Sequence, residues 1–185
     1  MAQQLPEGSW PSGIKSGQTV FPAGYRRLAQ SRFGCRTNTT FAVSALAHHP
    51  TRRTSHAARQ GLDLLLAQGS LPAHSLGHQV ARTVGLERAS GFFTYFARPD
   101  AALLLDLCWR IGASREDTRV AELVDFVTAL QGPYGLWEYS AQPEAARWIT
   151  FDLLRSLARV ARETDWLGTE PPLPFQPYPK RERRY

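Results

Sequence analysis

Gln131-Gly-Pro-Tyr-Gly135-Leu-Trp137 is the most informative stretch of the sequence, because its pattern Q-x-x-x-G-x-W occurs again near the N-terminus as Gln4-Leu-Pro-Glu-Gly8-Ser-Trp10. The chain holds 10 Gln, 14 Gly and 5 Trp in 185 residues. Random placement of these residues would give only about 0.02 copies of the pattern. Two copies therefore indicate an internal repeat. The glycine permits a tight turn, and the glutamine and tryptophan can close the ends of adjacent helices.

A degenerate third copy lies midway between these two. Gln68-Gly-Ser-Leu-Pro72-Ala-His74 retains the glutamine and places a turn-forming proline where the glycine would stand. This copy is separated from the other two by nearly equal lengths of chain. We therefore predict three repeat turns, at 4–10, 68–74 and 131–137, within one helical domain that covers 1–168.

Helical periodicity between the turns predicts an all-α fold with about five main helices and no sheet. The run Ala101–Trp109 is apolar on nearly every side, as in a buried helix, whereas Val120–Leu130 carries a single apolar stripe. Buried helices would form an inner layer and amphipathic helices an outer layer. Capping and helix-breaking residues place the helix starts at Asn38–Thr40, Arg52, Pro99, Ser114 and Ser140–Pro143.

The composition is typical of a globular protein with a net positive charge. Hydrophobic residues make up 43% of the chain and the formal net charge is +6. The basic residues are not interleaved with aromatic ones as in nucleic-acid-binding proteins, so no nucleic-acid partner is expected. All apolar runs are shorter than the ~18–20 residues of a transmembrane helix. Two cysteines cannot form a disulfide framework, which favours the cytoplasm. Residues 169–185 form a proline-rich basic tail, expected to be extended.

Phe126-Val127-x-x-x-Gln131-x-x-x-Gly135-x-Trp137 resembles the QW repeat of squalene-hopene and oxidosqualene cyclases, and more loosely the repeats of protein prenyltransferase β-subunits. Trp148-Ile-Thr-Phe and Asn38-Thr-Thr-Phe resemble the openings of inner helices in these proteins. The resemblance implies a partial (α/α) toroid with alternating inner and outer helices. It also implies a short, catalytically depleted bacterial member or fragment of this terpenoid cyclase and prenyltransferase superfamily.

The resemblance does not extend to the catalytic residues. The cyclases protonate their substrates with a D-x-D-D motif, and this chain has no Asp-Asp pair. The prenyltransferases bind zinc with Asp, Cys and His, and the sequence shows no matching cluster, so neither a metal nor another cofactor is expected. These departures favour a non-catalytic binding or interaction module for an apolar, isoprenoid-like molecule or a partner chain. The alternative is a cyclase-type or prenyltransferase-type enzyme that acts on a polyprenyl substrate.

Three aspartates are the candidate acids for the enzymatic alternative. Asp106 and Asp152 fall in buried helical runs, where an isolated carboxylate must find a partner or raise its pKa. An ion pair with Arg110 or Arg155 is the competing structural interpretation. Asp100 follows a proline in the first turn of its helix, where the helix dipole stabilises a carboxylate without any catalytic role.

Six aromatic residues are candidates for the wall of a ligand site: Phe92, Phe93, Tyr95, Phe96, Trp109 and Trp148. The first four could instead pack a loop against the helices. A repeat array whose ends lack outer helices exposes apolar faces. A partner chain or a second copy is therefore expected at the open ends, unless the termini cap them.

Overall fold

The computed structural model describes residues 4–10, 36–67, 70–86 and 99–160. The regular secondary structure of these residues is helical and includes no strand, although Ser75 and Asp100 form an isolated bridge. None of the helices in these ranges has both the length and the hydrophobicity that a bilayer span requires. The six α-helices are α1 (Arg36–Ala47), α2 (His56–Leu66), α3 (His78–Thr83), α4 (Ala101–Ile111), α5 (Thr118–Ala129) and α6 (Ala146–Val160).

Helix α4 lies at the centre of the packing and contacts each of the other five α-helices. Most of its residues are buried, and Leu105 and Leu107 have no exposed surface. The Asp100 side chain caps its N-terminus, and Gly112 ends it with a φ of +92°. An N-cap of this kind stabilises a helix by about 1 kcal/mol. The prediction of a buried helix between Pro99 and Gly112 is therefore confirmed.

The remaining long helices share one hydrophobic core with α4. Helix α2 packs against both α1 and α4, and α5 packs against α4. Val43 of α1, Leu62 of α2, Leu123 of α5 and Leu153 of α6 are all fully buried. Burying a side chain of this size contributes roughly 1.5–3 kcal/mol relative to exposure. Five long helices and one continuous core are what the hydrophobic spacing predicts.

The short helix α3 is the element that the sequence prediction missed. It lies between the second and third predicted helices, where no helix is predicted, and is flanked by Gly77 and Gly85, which both have positive φ. Six residues cover less than two helical turns, so they carry too little periodicity to identify a helix. In the structure α3 packs against α4 and α6 and forms one wall of the candidate site.

Several predicted helix starts are wrong by a few residues. Helix α1 begins at Arg36, so Thr39 and Thr40 lie inside it rather than at its cap. Helix α2 begins after Ser55, whose hydroxyl accepts from the Ala58 N–H. Two further starts also differ. Asp117 rather than Ser114 caps α5, and a 3-10 turn at Pro143–Ala145 precedes α6.

Candidate functional site

The two complete repeat turns contain the same hydrogen bonds. Gln4 Nε2 donates to the Gly8 carbonyl at 2.8 Å, and Gln131 Nε2 donates to the Gly135 carbonyl at 2.9 Å. Gly8 and Gly135 have φ values of +95° and +73°, which side-chain-bearing residues rarely adopt. Matching backbone hydrogen bonds close both turns. In the first turn, the N–H of Leu5 donates to the Ser9 carbonyl and the N–H of Gly8 donates to the Leu5 carbonyl. In the third turn, the N–H of Gly132 donates to the Leu136 carbonyl and the N–H of Gly135 donates to the Gly132 carbonyl. The sequence repeat is thus a structural repeat.

Each of these turns is attached to a helix through its tryptophan. The Trp10 N–H donates to Thr39 Oγ1 in α1, and the Trp137 N–H donates to Thr150 Oγ1 in α6, both at 3.0 Å. Trp137 also donates from Nε1 to the Val127 carbonyl of α5 at 2.7 Å. Both indoles are buried. Thr39 and Thr150 therefore occupy equivalent positions in α1 and α6.

The middle repeat departs from the predicted turn at 68–74. Gln68 lies outside the described residues, and Leu71–Ala73 form a 3-10 turn. The positive-φ glycine of this region is Gly77, and the backbone N–H of Gln79 donates to Asp100 Oδ2 at 2.7 Å. Gln79 thus stands where the other turns have tryptophan, and Asp100 stands where the other helices have threonine.

Asp100 is a structural carboxylate. It is 3% exposed and accepts four backbone hydrogen bonds at 2.7–3.3 Å, from Gly77, Gln79, Ala102 and Leu103. Burial raises the pKa of Asp100, and the four donors act in the opposite direction. Its oxygens are engaged by backbone donors, so Asp100 connects α3 to α4 and is a poor candidate for a proton donor.

An open groove of about 320 Å³ lies between α3, α4 and α6. Its apolar walls are formed by Val80 and Val84 of α3, Leu103 of α4, and Trp148 and Phe151 of α6. Two carboxylates and two guanidinium groups line its polar side, namely Asp106, Arg110, Asp152 and Arg155. Its volume lies at the lower end of the range for small-molecule sites, roughly 300–1,000 Å³.

Asp106 is held by two arginines and a tryptophan. Arg110 Nε lies 2.7 Å from Oδ2, and Arg155 Nη2 lies 3.0 Å from Oδ1. Trp109 Nε1 donates to Oδ1 at 3.0 Å. The expected pairing of this buried aspartate with Arg110 and Arg155 is confirmed. Asp106 therefore ties α4 to α6 at the polar side of the groove.

Asp152 lies beside this cluster and differs from Asp106 in its surroundings. Its one ion-pair partner among the described residues is Arg155, which thereby bridges the two aspartates. Burial raises the pKa of Asp152, and the negative charge of Asp106 adds to the effect, whereas Arg155 and Arg110 oppose it. A raised carboxyl pKa inside a groove is a property of general acids. Of the three candidate acids, Asp152 is the one that combines a raised pKa with a place in the groove lining.

The predicted aromatic residues do not form one wall. Trp148 lines the groove and is 43% exposed. Trp109 lies beside the charge cluster, and its ring is covered by the guanidinium groups of Arg110 and Arg159, centred 4.5 and 4.1 Å from it. Phe92, Phe93, Tyr95 and Phe96 lie outside the described residues. The groove therefore brings together Asp106, Asp152 and Trp148, and leaves Asp100 and Trp109 outside its lining.

No metal site is visible in the part of the chain that the structure describes, since it contains no group of three His, Cys, Asp or Glu side chains placed to bind an ion. Cys108 is fully buried in α4. Burial raises the pKa of its thiol to about 12, with a further contribution from Asp117. A thiol in this state is a packing group and not a nucleophile.

The sequence prediction missed the α3 side of the groove. Val80, Val84 and Gln79 line it, and none of them is a candidate in the sequence because α3 is not predicted. The available signal is the pair of apolar residues four apart, Val80 and Val84, between Gly77 and Gly85. Such a pair is too common to identify a site on its own.

Comparison with known proteins adds no assignment. No family model, no curated protein and no solved structure matches this chain. Its function has to be argued from the groove and the repeat turns themselves.

Proposed function

We propose that this chain is a non-catalytic helical repeat domain, a partial (α/α) toroid of the terpenoid cyclase kind, that binds an apolar, isoprenoid-like molecule or a partner chain. The observation that carries the proposal is the groove between α3, α4 and α6. Its walls are largely apolar, and both of its carboxylates are paired with arginines. Such a site offers hydrophobic contact and little reactive chemistry.

The packing of the helices supports a toroid-like arrangement. Helices α1, α4 and α6 each accept the amide of a repeat turn near their N-terminal ends, and α4 contacts both of the others. Helix α2 lies between α1 and α4 in the chain and packs against both of them. This packing is the one expected if α1 and α4 belong to the inner layer and α2 to the outer layer. Helix α5, the second proposed outer helix, packs mainly against α4.

A labelled polyprenyl alcohol of fifteen carbons tests the ligand proposal. We expect saturable binding to the purified chain, measured by fluorescence anisotropy. Trp148→Ala removes an exposed groove wall and should weaken binding about tenfold, or ~1.4 kcal/mol. Tyr134→Ala is the matched aromatic control, because Tyr134 is 89% exposed and does not line the groove. Absence of saturable binding, or equal losses in both variants, would refute a ligand site in the groove.

The enzymatic alternative has one specific observation in its favour, the raised pKa of Asp152. This alternative requires that the chain converts a polyprene or a polyprenyl diphosphate into products, which mass spectrometry would detect. Turnover by the wild-type chain that disappears in Asp152→Asn would establish an enzyme and remove the non-catalytic proposal. We expect no turnover in either protein.

A further inference from the structure

The third repeat unit has an uncovered surface that the first unit covers with a helix. In the first unit, Gln4 Nε2 also donates to the Ala57 carbonyl of α2 at 3.0 Å. A Cβ placed on Gly8 would lie 2.9 Å from Gln60 Cβ, so α2 rests directly on this turn. The turn and α2 are thus one packed unit.

The equivalent contacts are absent around the third turn, among the described residues. Gln131 Nε2 donates only to the Gly135 carbonyl of its own turn. A Cβ on Gly135 would meet nothing except the Gln131 side chain, at 3.7 Å. Among the described residues, Gln131 and Gly135 therefore face no helix, whereas their equivalents Gln4 and Gly8 contact α2.

The neighbouring face of α6 is uncovered as well. Thr39 and Thr150 are equivalent, so Val43 and Leu154, each one helical turn later, are equivalent too. Val43 is fully buried, and a Cβ on Gly61 of α2 would overlap it. Leu154 is 52% exposed. The position that α2 covers in α1 is thus open to solvent in α6.

We propose that this surface, formed by Gln131, Gly135 and Leu154, docks an amphipathic helix from outside residues 1–185, in the manner in which α2 docks on the first unit. The helix would bear a small residue opposite Leu154, as Gly61 lies opposite Val43. This inference rests on the toroid-like repeat of the proposed function and names the partner of its open end.

The charges around the surface specify the partner further. Arg147 is exposed on α6 and has no carboxylate partner among the described residues. It precedes Leu154 by about two helical turns and therefore lies on the same side of α6, whereas Arg159 lies over the Trp109 ring of α4. A docking helix with a carboxylate opposite Arg147 would match this charge. A second copy of α6 would instead bring its own arginines to the same surface.

The chain that follows α6 is poorly suited to this role. Pro171, Pro172, Pro174, Pro177 and Pro179 interrupt it, and proline inside a helix costs about 3 kcal/mol or more. Helix α2 has 11 residues and is separated from α1 by residues 48–55. Residues 161–170, which precede the prolines, would have to supply both a connection of this length and a helix of this length, and they are too few for both.

A peptide copied from α2 is the probe. Acetylated, amidated peptides of residues 53–68 are prepared with the native sequence and with Arg53→Glu and Arg59→Glu. We expect both to bind the full chain in titration calorimetry, the acidic one more tightly at low salt. In a second measurement, the native peptide is fused to Tyr185 through a Gly-Ser linker, which raises the effective concentration of the peptide. We expect slower amide exchange at Leu154 in this fusion than in the chain without the peptide.

Matched variants locate the binding. Leu154→Asp should weaken peptide affinity at least tenfold and cancel the exchange protection. Phe41→Asp, on α1 and 43% exposed, should change the affinity less than twofold. No saturable binding and no protection in the tethered chain would overturn the inference, as would equal effects of the two variants.

Other occupants give different outcomes. A solution mass of twice 20.7 kDa that Leu154→Asp returns to one chain would mean that a second copy covers the surface. Co-sedimentation with anionic phosphatidylserine vesicles that Leu154→Asp abolishes would mean a lipid surface. Either result would overturn the inference. Because Leu154 does not line the groove, the test of polyprenyl binding with Trp148→Ala is independent of the test of helix docking with Leu154→Asp.

Discussion

Thr150 Oγ1 accepts the backbone N–H of Trp137 at 3.0 Å, and this one bond joins the third repeat turn to α6. Both residues are buried, so the N–H has no access to water as an alternative acceptor. The same relationship joins the first turn to α1.

Replacing Thr150 with valine should destabilise the chain by about 1–3 kcal/mol, the cost of leaving a buried donor unsatisfied. Valine keeps the branched shape, so little packing is lost. Chemical denaturation measures the free energy of unfolding. Thr128→Val is the control, because the exposed Thr128 hydroxyl only donates to a carbonyl of its own helix. Equal effects at both positions would contradict the anchoring role of Thr150.

Asp106→Ala should destabilise the chain by about 3 kcal/mol, because it leaves Arg110 and Arg155 without their shared partner at a largely buried site. Asp125→Ala removes an exposed ion pair with Arg115 at 3.4 Å and should cost less than about 0.5 kcal/mol. Urea unfolding of the two variants gives the comparison. A small loss for Asp106→Ala would show that the cluster does not hold α4 to α6.

The pKa of Asp152 predicts how stability depends on pH. Burial and Asp106 raise this pKa in the folded state above its ordinary value of 3.8, so the folded chain binds more protons than the unfolded chain between the two values. The contribution of Asp152 to stability is therefore complete below its ordinary pKa. It is lost as the pH rises through the folded pKa.

Asp152→Asn should remove this dependence. The free energy of unfolding, measured from about pH 3 to pH 7, should fall less steeply with rising pH in the variant than in the wild type. Asp125→Asn, on an exposed carboxylate, should leave the wild-type slope unchanged. A variant curve parallel to that of the wild type would refute the environment assigned to Asp152.

The two turn glycines should respond differently to alanine. Both have positive φ, so each substitution costs roughly 1–2 kcal/mol of backbone strain. Gly8→Ala should cost more, because its Cβ would lie 2.9 Å from Gln60 Cβ, whereas Gly135→Ala meets only the flexible Gln131 side chain. Thermal unfolding of both variants gives the order. A larger loss at Gly135 would indicate that a helix already covers the third turn.

Sequence periodicity predicts the five long helices because each carries more than two turns of apolar spacing. The Q-x-x-x-G-x-W turns are predictable for a related reason, since Gln, Gly and Trp contribute through local hydrogen bonds at fixed separations. The turn of the middle unit is not predictable, because its hydrogen bond joins Gln79 to Asp100 instead of a tryptophan to a threonine. Nothing in the local sequence indicates that a carboxylate serves the same backbone donor as a hydroxyl.

The groove was predictable only in part. The pairing of Asp106 follows from the cost of burying a lone carboxylate beside arginines four residues away and on a neighbouring helix. The wall from α3 depends on long-range packing of a six-residue helix, which has no periodic signal of its own. The exposure of Leu154 likewise follows from which helices surround α6 and not from its own residues.

The central position of α4 has a consequence for how the domain comes apart. In many repeat proteins each unit touches only its neighbours, so terminal units can melt alone. Here α4 contacts every other α-helix among the described residues, so detaching either end removes some of its packing. The domain should therefore behave as a single cooperative folding unit, with the slowest amide exchange in the middle of the chain and no stable intermediate in which only one end is lost.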